Sequence, residues 1–317
     1  DMYTKKWNRP IDPDKEIVVT CGGTEAMMAA MMTVCNPGDK VAVFSPFYEN
    51  YGADAILSGA DPIYIPLVPP DFHYDRAVLE QAFRDGAKAL ILCNPSNPCG
   101  KVFTMGEMEE IAELAKRYDA FVITDEVYEY IIYDGNRHIS MAALPGMYER
   151  TITCSSLSKT YSMTGWRLGY CCGPAAIIQQ MTKIHQFAIM CAPTTSQYAA
   201  VEALKNGDPD IEEMRTAYNQ RRRFLMNAFR EMGLECFEPY GAFYVFPCIK
   251  EFGMTSEEFA TRFLEEEKVA AVPGTAFGDS GEGYLRISYA YSLEKLKTAI
   301  GRLGHFVEKL RAEQNNK

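Results

Sequence analysis

No uncharged apolar run in this 317-residue sequence approaches the ~18 residues that a membrane-spanning helix requires. The opening Asp1-Met2-Tyr3-Thr4-Lys5-Lys6 has no apolar stretch behind its charges, so no leader is read there, and the expected compartment is the cytoplasm. Basic charge is in short supply. Against 42 Asp and Glu there are 32 Lys and Arg, a formal charge of −10, and the longest basic run is the Arg221-Arg222-Arg223 triplet. Nucleic acid and anionic membrane are therefore poor partners for it. Histidines number four, His73, His138, His185 and His305, far apart and without metal-ligand spacing, so no metal site is expected. The ten cysteines include no C-x-x-C and one vicinal pair, Cys171-Cys172, and read as reduced core residues. A G-x-G-x-x-G loop is lacking too, and Pro95 stands where a P-loop would need a glycine ahead of Gly100-Lys101. Nucleotide binding loses its usual sequence support.

What is present is the ordinary composition of a globular chain, 47% hydrophobic and 23% charged, with length enough for about two domains. Seven short apolar or β-branched runs read as strands: 17–20, 41–44, 63–65, 89–93, 121–124, 151–154 and 168–172. Most are followed by helix-length segments, which is an α/β signature with a mainly parallel sheet. A long charged helical stretch opens at Asp208-Pro209-Asp210 and runs through Met232. Beyond it, short strands near 241–247 and 284–289 alternate with helices at 256–267 and from 292 onward. The expected division is a large domain over 1–207, then an interdomain helix and a smaller α+β domain over 208–317.

Chemistry concentrates in the loop Ser155 to Gly169, which sets Lys159 among four serines and two threonines, with Arg167 eight positions later. Hydroxyls plus arginine can hold a phosphate, and a lysine beside a cation in a partly dry site loses its proton readily and becomes a usable nucleophile. A phosphate-bearing cofactor held as a lysine imine needs such a set. Thr20-Cys21-Gly22-Gly23-Thr24-Glu25 turns a strand tightly into a helix whose free N–H groups can point at an anion. Two more loops follow predicted strands, where open α/β sheets bind ligands: Asn94 to Gly100, and Asp125-Glu126-Val127-Tyr128. Adjacent on a strand, Asp125 and Glu126 point to opposite faces, so one carboxylate is available, either as a turn residue or as the anionic partner of a pyridinium nitrogen.

From about Ile17 to the C-terminus the residues resemble the fold-type I pyridoxal-phosphate-dependent aminotransferases of class I/II, near the aspartate and aromatic branch. The motifs G-G-T-E, S-P-F-Y, N-P-S-N-P-C-G, D-E-V-Y, S-L-S-K and Y-L-R-I-S arrive in the family's order. The resemblance implies a large domain built on a seven-stranded sheet, pyridoxal 5′-phosphate as cofactor, a homodimer, and transfer of an amino group from an aspartate-type or aromatic amino acid to a 2-oxo acid such as 2-oxoglutarate. It implies that Lys159 binds the cofactor covalently and shuttles the proton. Asp125 would pair with the ring nitrogen, Asn97 and Tyr128 would face the phenolate oxygen, and Tyr48 would stack on the ring. Gly23, Thr24, Ser156, Ser158 and Arg167 would hold the phosphate, and Arg286 would clamp the substrate carboxylate, with Asn97 beside it. Cys99 takes the place of the family's usual Thr. The family's segment ahead of the position matching Asp1, with an arm that closes over substrate, has no counterpart in these residues. The alternatives are a carbon–sulfur β-lyase on the same fold, which would use the same lysine, and an inactive cofactor-binding remnant.

Overall fold

The computed structural model describes residues 2–316. Eight strands form one sheet: β1 (Ile17–Thr20), β2 (Lys40–Ser45), β3 (Asp61–Val68), β4 (His73–Tyr74), β5 (Ala87–Cys93), β6 (Phe121–Asp125), β7 (Thr151–Ser156) and β8 (Gly169–Cys172). Their spatial order is β1-β8-β7-β6-β5-β2-β3-β4. β3, β2, β5, β6 and β7 run parallel, while β8 is antiparallel to both its neighbours. All seven expected strands are there. The eighth, β4, is a two-residue edge paired with Leu67 and Val68, too short to leave a periodic signal.

Why these runs become central strands is visible in their burial. Alternate residues feed two cores, as the period of two requires. Ala42, Phe44, Leu90, Leu92 and Val122 face one layer, packed on α4 (Arg76–Arg84) and α5 (Met105–Arg117). Val41, Val43, Ala89, Ile91, Ile123 and Ile152 face the other, with α2 (Gly22–Val34) and α7 (Ala175–Ala188). A strand buried on both sides has no polar face to show, hence the unbroken apolar sequence. The remaining helices of this part are α1 (Met2–Lys6), α3 (Asn50–Leu57), the single turn α6 (Leu157–Thr160) and α8 (Thr194–Asn206).

After α9 (Asp208–Met232), which ends on the left-handed Gly233, a three-stranded sheet forms from β9 (Tyr244–Val245), β10 (Val272–Pro273) and β11 (Leu285–Ser288), with β11 central. Helices α10 (Ser256–Glu267) and α11 (Leu293–Asn315) cover it, and Phe259 and Phe263 pack on Phe306. Thr255 and Glu258 close a reciprocal cap on α10, which satisfies N–H groups that the first turn leaves free. Phe246, Phe277 and Tyr284 from this part join the first core, so the two sheets share apolar packing. The carboxyl ends of β2, β5, β6 and β7 open toward that junction, and the candidate site lies there.

Candidate active site

One end of the site is made by three chain segments brought into close contact. Gly22 opens α2 with φ +83°, and a Cβ there would stand 2.5 Å from the Arg167 guanidinium. Gly169 on β8 lies against the same turn; its Cβ would fall 2.5 Å from the Gly22 carbonyl carbon. Only glycine permits that approach. A Cβ on Gly23 would contact the Ser156 side chain at 3.5 Å. Ser156 in turn caps α6 by accepting from the Ser158 N–H at 3.1 Å. Arg167 holds a left-handed conformation, φ 52°, and donates to the Thr164 carbonyl at 3.0 Å. Strain of this kind persists where surrounding contacts fix a side chain for use. Thr24 follows in the same helical turn and is exposed. The predicted Gly23, Ser156, Ser158 and Arg167 therefore converge at a helix start, with N–H groups, hydroxyls and a guanidinium suited to an anion.

Lys159 lies on α6 beside that end, its ammonium 5.6 Å from the Phe243 ring centre. Burial pushes its pKa below the ordinary lysine value of 10.5, and the positive fields of Arg286 and Arg167 push it further, against the pull of Asp125. An amine so placed gives up its proton more readily than a surface lysine.

Asp125 ends β6. Its Oδ2 accepts from the Tyr51 hydroxyl at 2.7 Å and its Oδ1 from the Val127 N–H at 3.1 Å. Burial pushes the carboxyl pKa up, while these two donors favour the ionised form. Tyr51 itself is buried, and Tyr48, half-buried, meets it edge-on at 5.7 Å. Tyr51 escaped the sequence reading, although it lies three residues beyond Tyr48 at helical spacing.

The third group crosses between the two sheets. Arg286 on β11 donates to Asn97 Oδ1 at 3.0 Å, and its guanidinium carbon lies 4.5 Å from the Tyr244 ring centre and 4.5 Å from that of Phe277. The Tyr244 and Tyr128 hydroxyls are 3.1 Å apart. Tyr244 and Phe277 were not singled out in the sequence, because aromatic residues in Gly241 to Pro247 and near Gly278 are indistinguishable there from core packing.

Asp125 and Glu126 do diverge. Glu126 is fully buried and is met by His138 Nε2 at 2.8 Å, the Ser140 hydroxyl at 2.9 Å and Lys6 at 3.2 Å, and Lys6 also pairs with Glu129. Burial works against ionisation of Glu126, but Lys6 and His138 hold its carboxyl well below the usual range, whereas burial keeps that of Glu129 up. Atoms of Glu126, Glu129 and His138 that could ligate a metal lie within 4.8 Å of one another, an arrangement that histidine spacing in sequence did not foretell. The Lys6 ammonium supplies the cation in this cluster.

The family profile described as aminotransferase class I and II matches residues 3–303. The chain belongs to the class I and II aminotransferases. It is 43% identical over 306 residues to the aspartate aminotransferase of Pyrococcus abyssi, spanning 96% of this chain and 79% of that protein. It is 40% identical over 295 residues to aromatic-amino-acid aminotransferase 2 of Thermococcus litoralis, spanning 92% of this chain and 76% of that one. The crystal structure of the aromatic aminotransferase from Pyrococcus horikoshii superposes with a TM-score of 0.94 at 41% identity, covering 98% of this chain and 84% of that chain. Each of these relatives is named for transamination, not β-elimination. The aminotransferase is pyridoxal-phosphate-dependent, as its family is. Its residues fit that cofactor: an anion cradle closed by glycines that a Cβ would fill, a lysine with a weakly held proton, and a carboxyl at the end of a central strand that accepts from Tyr51 and the Val127 N–H.

Proposed function

We propose that this aminotransferase takes an aspartate-type or aromatic α-amino acid as donor and 2-oxoglutarate as acceptor, with Lys159, Asp125 and Tyr128 as its catalytic residues. When bound, pyridoxal phosphate supplies an electron sink for the pair released at the amino acid's Cα and carries the amino group between half-reactions. The observation that carries the reading is the setting of Lys159, a half-buried amine 5.6 Å from the Phe243 ring centre whose charged form burial, Arg286 and Arg167 disfavour.

The proposed part of each residue is as follows. Gly23, Thr24, Ser156, Ser158 and Arg167 hold the phosphate at the α2 start, so the ring end is fixed relative to Lys159. Lys159 would hold the cofactor and, as a neutral amine, would take the proton from the substrate Cα. Asp125, whose ionised form the Tyr51 hydroxyl and the Val127 N–H favour against burial, would pair with the ring nitrogen. Tyr128 and Asn97 would hydrogen-bond the phenolate oxygen, and Tyr48 would stack on the ring. Arg286, steadied by Asn97, grips the substrate α-carboxylate with two parallel N–H groups, a geometry that lysine cannot reproduce.

We further divide the chain at α9 into a cofactor-binding domain, 1–207, and a smaller domain, 208–317. A homodimer belongs to the same reading, supported by the exposed Phe187 on α7, Met190 in the connection after it and Tyr198 on α8. The cytoplasm is the proposed compartment; among the described residues no helix is long and apolar enough to cross a membrane. Incubation with a panel of amino acids plus 2-oxoglutarate should yield glutamate, fastest with aspartate or an aromatic donor. Pyruvate and thiol from cystathionine, with no glutamate from the panel, would overturn the reading.

A further inference from the structure

Tyr128 and Tyr244 present two phenols and one contact. Their oxygens are 3.1 Å apart, both side chains are buried, and among the described residues neither hydroxyl has another hydrogen-bond partner. Burial pushes both phenol pKa values up, so each oxygen keeps its hydrogen through the working pH range. Two hydrogens serve a single O···O contact, and one hydrogen is left to be directed elsewhere. If Tyr244 donates, the spare hydrogen is on Tyr128, whose surroundings include Asp125 and Cys93 at the ends of the central strands.

The same ring reaches the other end of the site. Tyr244 on β9 is the cross-strand partner of Ser288 on β11, and Arg286 lies two residues back on the same face of that strand. The guanidinium is held between the Tyr244 and Phe277 rings, 4.5 Å from each, while Asn97 fixes one of its N–H groups. A planar cation between two aromatic faces loses most of its freedom to swing and keeps its remaining N–H edge free for a ligand.

We infer that Tyr244 is a positioning residue with two separable duties: its hydroxyl donates to Tyr128 and thereby turns the Tyr128 hydrogen toward the cofactor's phenolate oxygen, and its ring holds Arg286 in clamping orientation. The inference rests on the roles proposed above for Tyr128 and Arg286. Of the neighbouring aromatic residues described, Phe243 lacks the hydroxyl, and Phe277 meets Arg286 but has no hydroxyl to offer Tyr128.

The test separates hydroxyl from ring. Tyr244→Phe keeps the packing volume and removes the hydroxyl; Tyr244→Leu removes the ring as well; Tyr128→Phe is the reference. For each purified, cofactor-loaded variant, the visible absorbance of the bound cofactor is titrated with pH in the absence of substrate, and KM is measured for the best amino-acid donor. Losing a donor to Tyr128 makes it a weaker donor in turn, so Tyr244→Phe should move the spectroscopic midpoint up by about half a pH unit and leave KM within about 2-fold. Tyr244→Leu should show the same midpoint shift and raise KM by about 5-fold or more. If Tyr128→Phe moves the midpoint while Tyr244→Phe leaves it in place or moves it down, the hydroxyl duty is wrong and the site reading stands. An unchanged KM in Tyr244→Leu removes the ring duty. Should Tyr128→Phe itself leave the midpoint unmoved, the reading of the site fails at its root.

Discussion

The Tyr51 hydroxyl on α3 donates to the Asp125 carboxylate at the end of β6, at 2.7 Å and across 74 residues of sequence. Burial alone would push Asp125 toward its neutral form, and a neutral acid cannot hold a proton on the ring nitrogen. Tyr51 and the Val127 N–H oppose that tendency. In Tyr51→Phe the carboxyl pKa should rise further. Because activity needs the ionised form, the acid limb of kcat/KM should move to higher pH, with a loss of about 3- to 10-fold on that limb and a smaller one above it. A pH–rate profile of the variant checks this.

Arg286 is held by Asn97 on one side and by two rings on its faces, so its free edge is set in direction as well as charge. Arg286→Lys keeps the charge and loses the paired N–H geometry. kcat/KM should fall by at least ~10-fold, about 1.4 kcal/mol, for every donor, with cofactor affinity retained. Steady-state kinetics alongside a cofactor titration would read both.

Lys159 should capture pyridoxal phosphate with a pH midpoint below the ordinary lysine value of 10.5, since burial, Arg286 and Arg167 all disfavour its charged form. The neutral amine is the reactive one, so capture by apoprotein speeds up as pH rises through that midpoint. Arg286→Ala removes one repelling cation, and the midpoint should move up. Stopped-flow absorbance across pH gives the comparison.

Lys6 is the only cation paired with Glu126 and Glu129 in the described structure, apart from His138 when protonated. Lys6→Met strands two buried carboxyls and should cost about 3 kcal/mol in urea unfolding near neutral pH. The sign with pH is fixed by Glu126, whose folded pKa is depressed by Lys6 and His138. Its stabilisation is complete above the ordinary glutamate value of 4.5 and is lost only as pH falls well below that. In Lys6→Met that folded pKa rises toward the ordinary value, so less stability is lost on acidification and the gap to the parent should close as pH falls.

Much of the fold was legible because doubly buried strands such as Val41 to Phe44 and Ala89 to Cys93 have no polar face to disguise them, and because Asp208-Pro209 marks the start of α9 with ordinary helix chemistry. The two-residue β4 and β10 were not, since their pairing depends on partners that are strands already. At the site, residues with distinctive chemistry in tight turns stood out: Lys159, Arg167, Asp125, Asn97 and the Gly22-Gly23 turn. What stayed hidden were the aromatic partners. Tyr51, Tyr244 and Phe277 acquire their meaning from contacts 74, 116 and 9 residues away, to Asp125, Tyr128 and Arg286, and nothing in their own neighbourhood separates them from core. His138 is the same case with charge: alone in sequence, it meets Glu126 only when β6 and the loop after it fold together.

The central claim is that Lys159, and no other lysine, joins the cofactor. Loading the protein with pyridoxal phosphate, reducing with borohydride and mapping the labelled peptide tests it most directly. The account predicts one label, on the peptide containing Ser156-Leu157-Ser158-Lys159, and no stable label in a folded Lys159→Ala variant. Label on a different lysine, or an unlabelled but folded parent protein, would contradict it.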